Sequence, residues 1–270
     1  MKLSIITINR NDATGLERTL RSVVSQTFAD FEYIVIDGAS GDNSVEVIKK
    51  YAAHITFWIS EPDSGIYNAM NKGIKKARGD YCLFLNSGDK LNNSDSLSKV
   101  FALEPVKDIV YGDQEITDGK NTGMGKFPDT LTPSYLFLDT LPHSSTFIKR
   151  TLLIDLDMYD ESKKISADHD FFLRAIVGHG ASYQQIPVLV STFYTDGISS
   201  DPLNRKKMER ELHDSFQKYF PAFYNDMQYL YDLRKDGVAK YCLNKQKSKF
   251  FRIIIRMLML VFPCKKGKKT

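Results

Sequence analysis

The sequence predicts an α/β protein built on a mostly parallel sheet with helices on both faces. Three observations carry this. Short, β-rich apolar runs alternate with segments of helical periodicity through the first half of the chain. Turn and capping residues separate the two kinds of segment. Polar side chains follow each strand-like run in the same relative place, as in open sheets that bind ligands at the carboxyl ends of their strands.

The elements follow in order. Leu3 to Ile8 is a short apolar strand. Leu16, Leu20, Val23 and Val24 then fall on one helical face. Glu32 to Asp37 reads as a second strand, and Gly41-Asp42-Asn43-Ser44 as a turn that caps a helix through Val45, Val47, Ile48 and Tyr51. Thr56 to Ser60 is a third strand, Ile66 to Ala77 a helix, and Tyr81 to Leu85 a fourth strand. Beyond these the pattern is less regular. Asp108 to Asp113, Ser145 to Ile148 and Gln185 to Phe193 read as strands, and Asp168 to Val177 as a helix. Asp118 to Pro128 is a glycine-containing excursion, either a hairpin or a mobile loop. Leu203 to Leu233 is helical and rich in Tyr and Phe, after a soft boundary at Asp201-Pro202.

Composition narrows the function. At 270 residues, with 42% hydrophobic and 26% charged, the chain is long enough to bury one large core with an appendage. The net charge of +4 is mild and gathers near the C-terminal end, which argues against a nucleic-acid partner. Cys82, Cys242 and Cys264 have no metal-ligand spacing and read as reduced thiols of a cytoplasmic protein. The opening run has no basic leader or cleavage site, so secretion is not expected.

The strand ends hold the chemistry. The first strand runs into Thr7, Asn9, Arg10 and Asn11. The second ends at Asp37, the third is followed by Glu61-Pro62-Asp63, and the fourth by Asn86-Ser87-Gly88-Asp89. A single Asp after a strand most simply caps the next helix. Acidic and amide groups at four ends of one edge favour a ligand site, because clustered carboxylates need a cation or hydrogen-bond donors to offset their repulsion. A nucleotide with a divalent metal supplies both.

The stretch Glu61 to Asp89, EPDSGIYNAMNKGIKKARGDYCLFLNSGD, closely resembles glycosyltransferase family 2, the inverting enzymes of GT-A fold. SIITINRND and EYIVIDGASGDNS resemble the family's first two strand ends, and PHSSTFIKR and ISADHDFFLR its acceptor-side segments. The match runs in order over roughly residues 1 to 200. It is similar to bacterial enzymes of capsule, exopolysaccharide and lipopolysaccharide assembly.

The resemblance implies a transferase domain over 1–200 and a helical C-terminal extension over 201–270. It implies a nucleotide pocket formed by Thr7, Asn9, Asp37, Asp63 and Lys72, with a uridine base on Asp37. Asn86-Ser87-Gly88-Asp89 stands at the acidic metal-binding motif, where only Asp89 is acidic. Asp89 is then the protein ligand for Mn²⁺ or Mg²⁺, with Ser87 and Gly88 beside the donor sugar. Asn68 stands where relatives often carry Asp. Asp168 holds the second position of an acidic pair whose first is Ala167 here, and this matches the catalytic base. Asp170 reads as the more structural of the two, a residue of the helix N-terminus. His143 lies in a loop that approaches donor and acceptor. His54, His169, His179 and His213 read as structural or solvated, and Arg174 as paired within its helix.

The tail is different again. Lys245-Gln246-Lys247-Ser248-Lys249 precedes a nearly apolar run from Phe250 to Phe262 containing Arg252 and Arg256, and Lys265, Lys266, Lys268 and Lys269 follow. The run is shorter than the ~20 apolar residues of a membrane span, so it reads as an interfacial segment near 245–270 on anionic lipid. The competing reading is an amphipathic helix docked on protein. Expected partners are a nucleotide-sugar donor, a lipid-linked or saccharide acceptor and the inner membrane surface. A nicotinamide dehydrogenase is excluded because Ile8-Asn9-Arg10-Asn11 lacks the required glycine turn. A sugar nucleotidyltransferase lacks its phosphate loop for the same reason. The remaining alternative is a transferase-like fold that binds a nucleotide sugar or a partner without turnover.

Overall fold

The computed structural model describes residues 1–237 and, beyond them, Tyr241, Ser248, Ile253 and Met257. The chain forms two compact units, Met1–Phe220 and Pro221–Thr270.

In the first unit, β1 (Leu3–Asn9) is buried along its whole length, as a central strand with both faces covered must be. It pairs in parallel with β2 (Phe31–Asp37) and β4 (Tyr81–Phe84), and β2 pairs in parallel with β3 (Phe57–Ser60). The register aligns Asn9 with Asp37 and Asp37 with Ser60, so three strand ends meet at one edge. The helices between them are α1 (Ala13–Val24), α2 (Ser44–Lys50) and α3 (Ile66–Lys76). Asp12 caps α1 by accepting from Gly15 N at 2.9 Å. On one face of the sheet, Leu16, Leu20 and Val23 of α1 join Leu3, Ile5, Tyr33, Val35 and Ile48 in a single core. This matches the alternating and helical periods of the sequence.

The remaining strands are β5 (Lys90–Leu91), β6 (Ile109–Thr117), β7 (Thr122–Gly125), β8 (Thr146–Lys149) and β9 (Tyr183–Tyr194). The sheet runs β3-β2-β1-β4-β8-β6-β9-β5, with β7 paired to β6. Pairing is antiparallel at β4/β8, β8/β6, β9/β5 and β6/β7, and parallel at β6/β9. The sheet is therefore mixed, parallel in its first half. The helices of this half are α4 (Ser96–Phe101), α5 (Pro133–Leu138), α6 (Arg150–Asp155), α7 (Ala167–Phe172) and α8 (Arg205–Tyr219). The glycine-containing excursion is a hairpin, because Thr122–Gly125 returns along β6. After Phe172 the helix widens into a π-helical segment, Leu173–Gly178. The long helical stretch from Leu203 is two helices that flank Pro221, whose ring cannot continue an α-helix.

Helix α8 packs into the first unit through Leu212, Ser215 and Phe216, with Phe216 edge-on to Phe137 at 4.6 Å. The second unit carries α9 (Tyr224–Lys235). The basic-apolar segment near 245–270 lies almost wholly outside the described residues. Among the described residues no helix is long and apolar enough to cross a membrane.

Candidate active site

The aligned strand ends build one polar cluster. Asp37 is fully buried, and donors converge on both of its oxygens. Asn9 Nδ2 donates at 2.8 Å, Ser40 Oγ at 2.5 Å, Ser40 N at 3.0 Å and Ser60 Oγ at 2.6 Å. Burial pushes its pKa up, but the bonds from Ser40, Ser60 and Asn9 outweigh this and hold it below the usual carboxylate range. Asn9 Oδ1 is buried with no hydrogen-bond partner among the described residues.

Asp63 lies against Gly38. A Cβ at residue 38 would come within 2.2 Å of Asp63 Oδ2, so a side chain there would push the Asp63 carboxylate from its place. Asp63 Oδ1 accepts from Gly65 N at 3.0 Å and stands 3.9 Å from Arg10 Nη1. Lys72 on α3 reaches Glu61 Oε1 at 2.7 Å and Pro62 O at 2.9 Å, and so ties down the loop carrying Asp63. Thr7 does not join the cluster. It is fully buried, donates to Leu85 O at 2.7 Å and meets the Tyr33 hydroxyl at 2.9 Å, because it lies on the same face as Asn9 but two residues further inside the strand, away from the edge.

The loop after β4 docks on α1. Gly88 has a φ of 99°, a conformation that favours glycine, and its N–H donates to Thr19 Oγ1 at 3.1 Å. Thr19 Oγ1 in turn donates to Asp89 O at 2.6 Å. Ser87 Oγ donates to Asp12 Oδ2 at 2.9 Å, and Arg18 Nη1 to Gly88 O at 3.1 Å. The Asp89 side chain turns inward to His143, with Oδ2 at 3.5 Å from Nε2. The other face of the imidazole is 3.8 Å from Asp168, Nδ1 to Oδ2. Burial pushes Asp89 up, with His143 pulling partly against it. Burial would lower His143, but the Asp89 hydrogen bond and the charges of Asp89 and Asp168 prevail and raise it.

Asp168 and Asp170 point to opposite sides of α7. Asp168 Oδ1 accepts from the Tyr67 hydroxyl at 2.9 Å. That hydroxyl also lies 2.5 Å from Ile165 O, so one proton is shared between two acceptors. Asp170 is buried with Arg174 Nε at 2.9 Å, Lys163 Nζ at 3.6 Å and Ser215 Oγ at 2.7 Å, a structural knot. His169 bonds Leu136 O, His179 and His54 are exposed, and His213 packs on Phe137.

Two residues of this site were not among those read from the sequence. Tyr67 sits inside the quoted SGIYNAMNKG helix, where a tyrosine at helical spacing reads as core. Glu161 accepts from Asn68 Nδ2 at 2.8 Å and Asn71 Nδ2 at 2.9 Å, and no motif marks it. Together they lock α3 to the acceptor-side segment. The amide at 68 has a physical reason here, because a carboxylate would face Glu161.

The donor set suits a hard divalent cation only in part. Asp89 offers a carboxylate, and Asn86 Oδ1 is a buried oxygen without a partner. Among the described residues no group of three or more His, Cys, Asp or Glu is arranged to hold a metal. Cys82 is buried and free, its thiol pushed up to about 12 by burial, which makes it an inert core residue. Cys242 and Cys264 lie outside the described residues.

Residues 4–152 match the profile described as Glycosyl transferase family 2, more than half of the chain. The chain belongs to glycosyltransferase family 2. The chain is 36% identical over 178 residues to an uncharacterized glycosyltransferase of Mycobacterium tuberculosis, covering 64% of this chain and 68% of that protein. In structure it resembles Staphylococcus aureus TarS 1-349 in complex with UDP-GlcNAc, with a TM-score of 0.66 at 20% identity, over 84% of this chain and 70% of that one. It also resembles mannosyltransferase PcManGT of Pyrobaculum calidifontis in complex with GDP-Man and Mn²⁺, with a TM-score of 0.60 at 16% identity, over 98% and 81% of the two chains. The fold of this family 2 chain is GT-A.

Proposed function

We propose that this glycosyltransferase moves a sugar from a UDP-sugar to an acceptor hydroxyl with inversion, using Asp168 as general base. The observation that carries the reading is the pairing of two carboxylates across one imidazole. Asp89 closes the nucleotide-side edge, Asp168 opens the acceptor-side segment, and His143 lies 3.5 and 3.8 Å from them.

The chemistry follows from the placement. The acceptor hydroxyl is a weak nucleophile at neutral pH, and an ionised carboxylate takes its proton as the new bond forms. The acceptor oxygen bonds the anomeric carbon, the bond to the diphosphate breaks on the opposite face, and UDP leaves with that electron pair. One such displacement inverts the anomeric centre. Asp37, with Asn9 beside it and Asp63 across Gly38, is the proposed uridine site. A uracil N–H suits a carboxylate acceptor, and the TarS complex holds a uridine nucleotide. Ser87 and Gly88 flank the donor sugar in this reading. Asp89, with Asn86 Oδ1, would hold Mn²⁺ or Mg²⁺, which when bound neutralises the leaving diphosphate. His143 keeps Asp89 and Asp168 apart and oriented.

The acceptor in this reading is lipid-linked, because the lysine-flanked apolar tail suits an anionic membrane surface. Enzyme and acceptor would then share the inner face of the membrane.

The test is a pair of variants. Asp168→Asn should keep UDP affinity by calorimetry while UDP release from UDP-sugars falls ~10²-fold or more. Asp89→Asn should lose the dependence of UDP binding on Mn²⁺. Undiminished turnover in Asp168→Asn removes it as the base, and full activity in excess chelator removes the metal.

A further inference from the structure

We infer that Glu211, on α8 and outside the family profile that ends at residue 152, is a positioning residue for Asp168. The inference rests on the reading of Asp168 as the base.

The segment just before α7 poses a hydrogen-bonding problem. Its N–H groups precede the helix and have no carbonyls one turn back to pair with. Three of them donate to a single side chain. Lys164 N reaches Glu211 Oε1 at 2.9 Å, Ile165 N reaches Oε2 at 3.1 Å, and Ser166 N reaches Oε2 at 3.0 Å. Hydrogen bonds to an ionised acceptor are short and strong, so this carboxylate fixes the path of residues 164–166. Lys163 Nζ adds a bond to Glu211 O at 3.0 Å. One turn further along α8, Ser215 Oγ reaches both Glu211 O and Asp170 Oδ1, which fastens α8 to α7 itself.

The clamp leads directly to the base. Ile165, whose N–H Glu211 holds, presents its carbonyl to the Tyr67 hydroxyl at 2.5 Å. The same hydroxyl donates to Asp168 Oδ1 at 2.9 Å. The direction of the Asp168 carboxylate is thus set by Tyr67, that of Tyr67 by Ile165, and that of Ile165 by Glu211. A base must meet the acceptor proton within hydrogen-bond reach, and a displacement of about 1 Å originating far from the chemistry can cost ~10²-fold. Among the described residues Asp37 and Asn9 have no bond to this chain of contacts, and the Asp63 loop meets it only through the exposed Lys164 Nζ, 3.4 Å from Ser64 O. Loss of the clamp should therefore slow the chemical step and leave nucleotide binding intact.

The experiment uses the full chain and a double-mutant cycle. Turnover is read as UDP release from UDP-GlcNAc, UDP-glucose and UDP-galactose, and nucleotide affinity by UDP calorimetry. In Glu211→Ala, kcat should fall ~10-fold or more with donor KM and the UDP Kd unchanged. Asp168→Asn/Glu211→Ala should be no slower than Asp168→Asn, because a residue acting only through Asp168 has nothing left to position. Glu211→Gln keeps the packing and one acceptor oxygen, and should recover part of kcat. Amide exchange adds a readout independent of turnover: residues 164–168 should exchange at least ~10-fold faster in Glu211→Ala, with the strand end at 36–40 unchanged. A wild-type kcat in Glu211→Ala, a parallel loss of UDP affinity, additive losses in the double variant, or unchanged exchange at 164–168 would each overturn the assignment. If Asp168→Asn itself turns over normally, the base reading fails. If Asp168→Asn is inactive while Glu211→Ala is not, only the positioning role fails.

Discussion

The contact between Asn68 and Glu161 joins the donor half of the molecule to the acceptor half, and replacing Asn68 with Asp tests it. In the native protein the amide donates to Glu161 Oε2 at 2.8 Å. Asn68→Asp removes that hydrogen bond, worth about 1.5 kcal/mol for a charged acceptor. It also sets two carboxylates side by side. With charge centres about 4 Å apart and an effective dielectric of about 20, their repulsion is about 4 kcal/mol at most. Lys72 and Lys75 lower Glu161 electrostatically and offset part of it. Protonating one member at pH 7.5 would cost about 4.4 kcal/mol, so the repulsion and not proton uptake sets the limit there. A net loss of about 2–3 kcal/mol is expected, which for a unit of this size lowers Tm by roughly 4–10 °C. The assay is thermal or urea unfolding at pH 7.5 and pH 5. Glu161 is held below the usual range by Asn71 and Asn68. Its stabilising effect is present above its unfolded pKa and lost as pH falls through the folded value. In the variant the repulsion is relieved as pH falls and one carboxyl takes a proton. The gap between native and variant should therefore narrow toward pH 5. Asn68→Asp/Glu161→Gln restores a donor facing an acceptor and should recover most of the loss. A variant as stable as the native protein at pH 7.5, or no recovery in the double variant, would refute this account of the amide at 68.

Two further outcomes are expected. Asp37→Ala strands the donors from Asn9, Ser40 and Ser60, and should cost about 2–4 kcal/mol in urea unfolding while abolishing measurable UDP binding by calorimetry. Because the folded pKa of Asp37 is depressed, its stabilising effect is present above the unfolded value and disappears as acid titrates it through the folded one. The full chain should sediment with anionic vesicles, and the chain lacking residues 246–270 should not; equal sedimentation would assign membrane contact elsewhere.

The placement of many candidate-site residues was legible because strand ends in a parallel sheet share one edge by construction. Asp37, Asp63 and Asp89 were read from that rule, and register aligns Asn9, Asp37 and Ser60 directly. Thr7 was carried into the pocket by motif position, yet it lies two residues inside the strand end on the same face as Asn9, where it bonds Tyr33 and Leu85 in the core. His143 was read as a loop residue near the donor. Its place between Asp89 and Asp168 depends on β8 pairing with β4, a non-local contact with no local signature. The hairpin at 118–125 and the break at Pro221 follow local rules, but glycine content could not choose between hairpin and loop.

Local chemistry in the sequence settles what is periodic or steric. The alternation of β-rich and helical segments, the cap at Asp12 and the glycine at 88 come from short-range preferences that any fold must satisfy. The acidic and amide residues at the strand ends favour a polar ligand that brings hydrogen-bond donors or a cation. What each carboxylate is bonded to is a different kind of fact. Asp168 and Asp170 are two residues apart and chemically identical, and one is tied to Arg174 and Ser215 while the other faces Tyr67 and His143. Tyr67 and Glu211 come from helices far apart in sequence, and their meeting at residues 164–166 is arranged by packing. Hydrogen bonds of that kind act over a few ångströms of space at any separation along the chain, so they exist only once the sheet and helices have assembled.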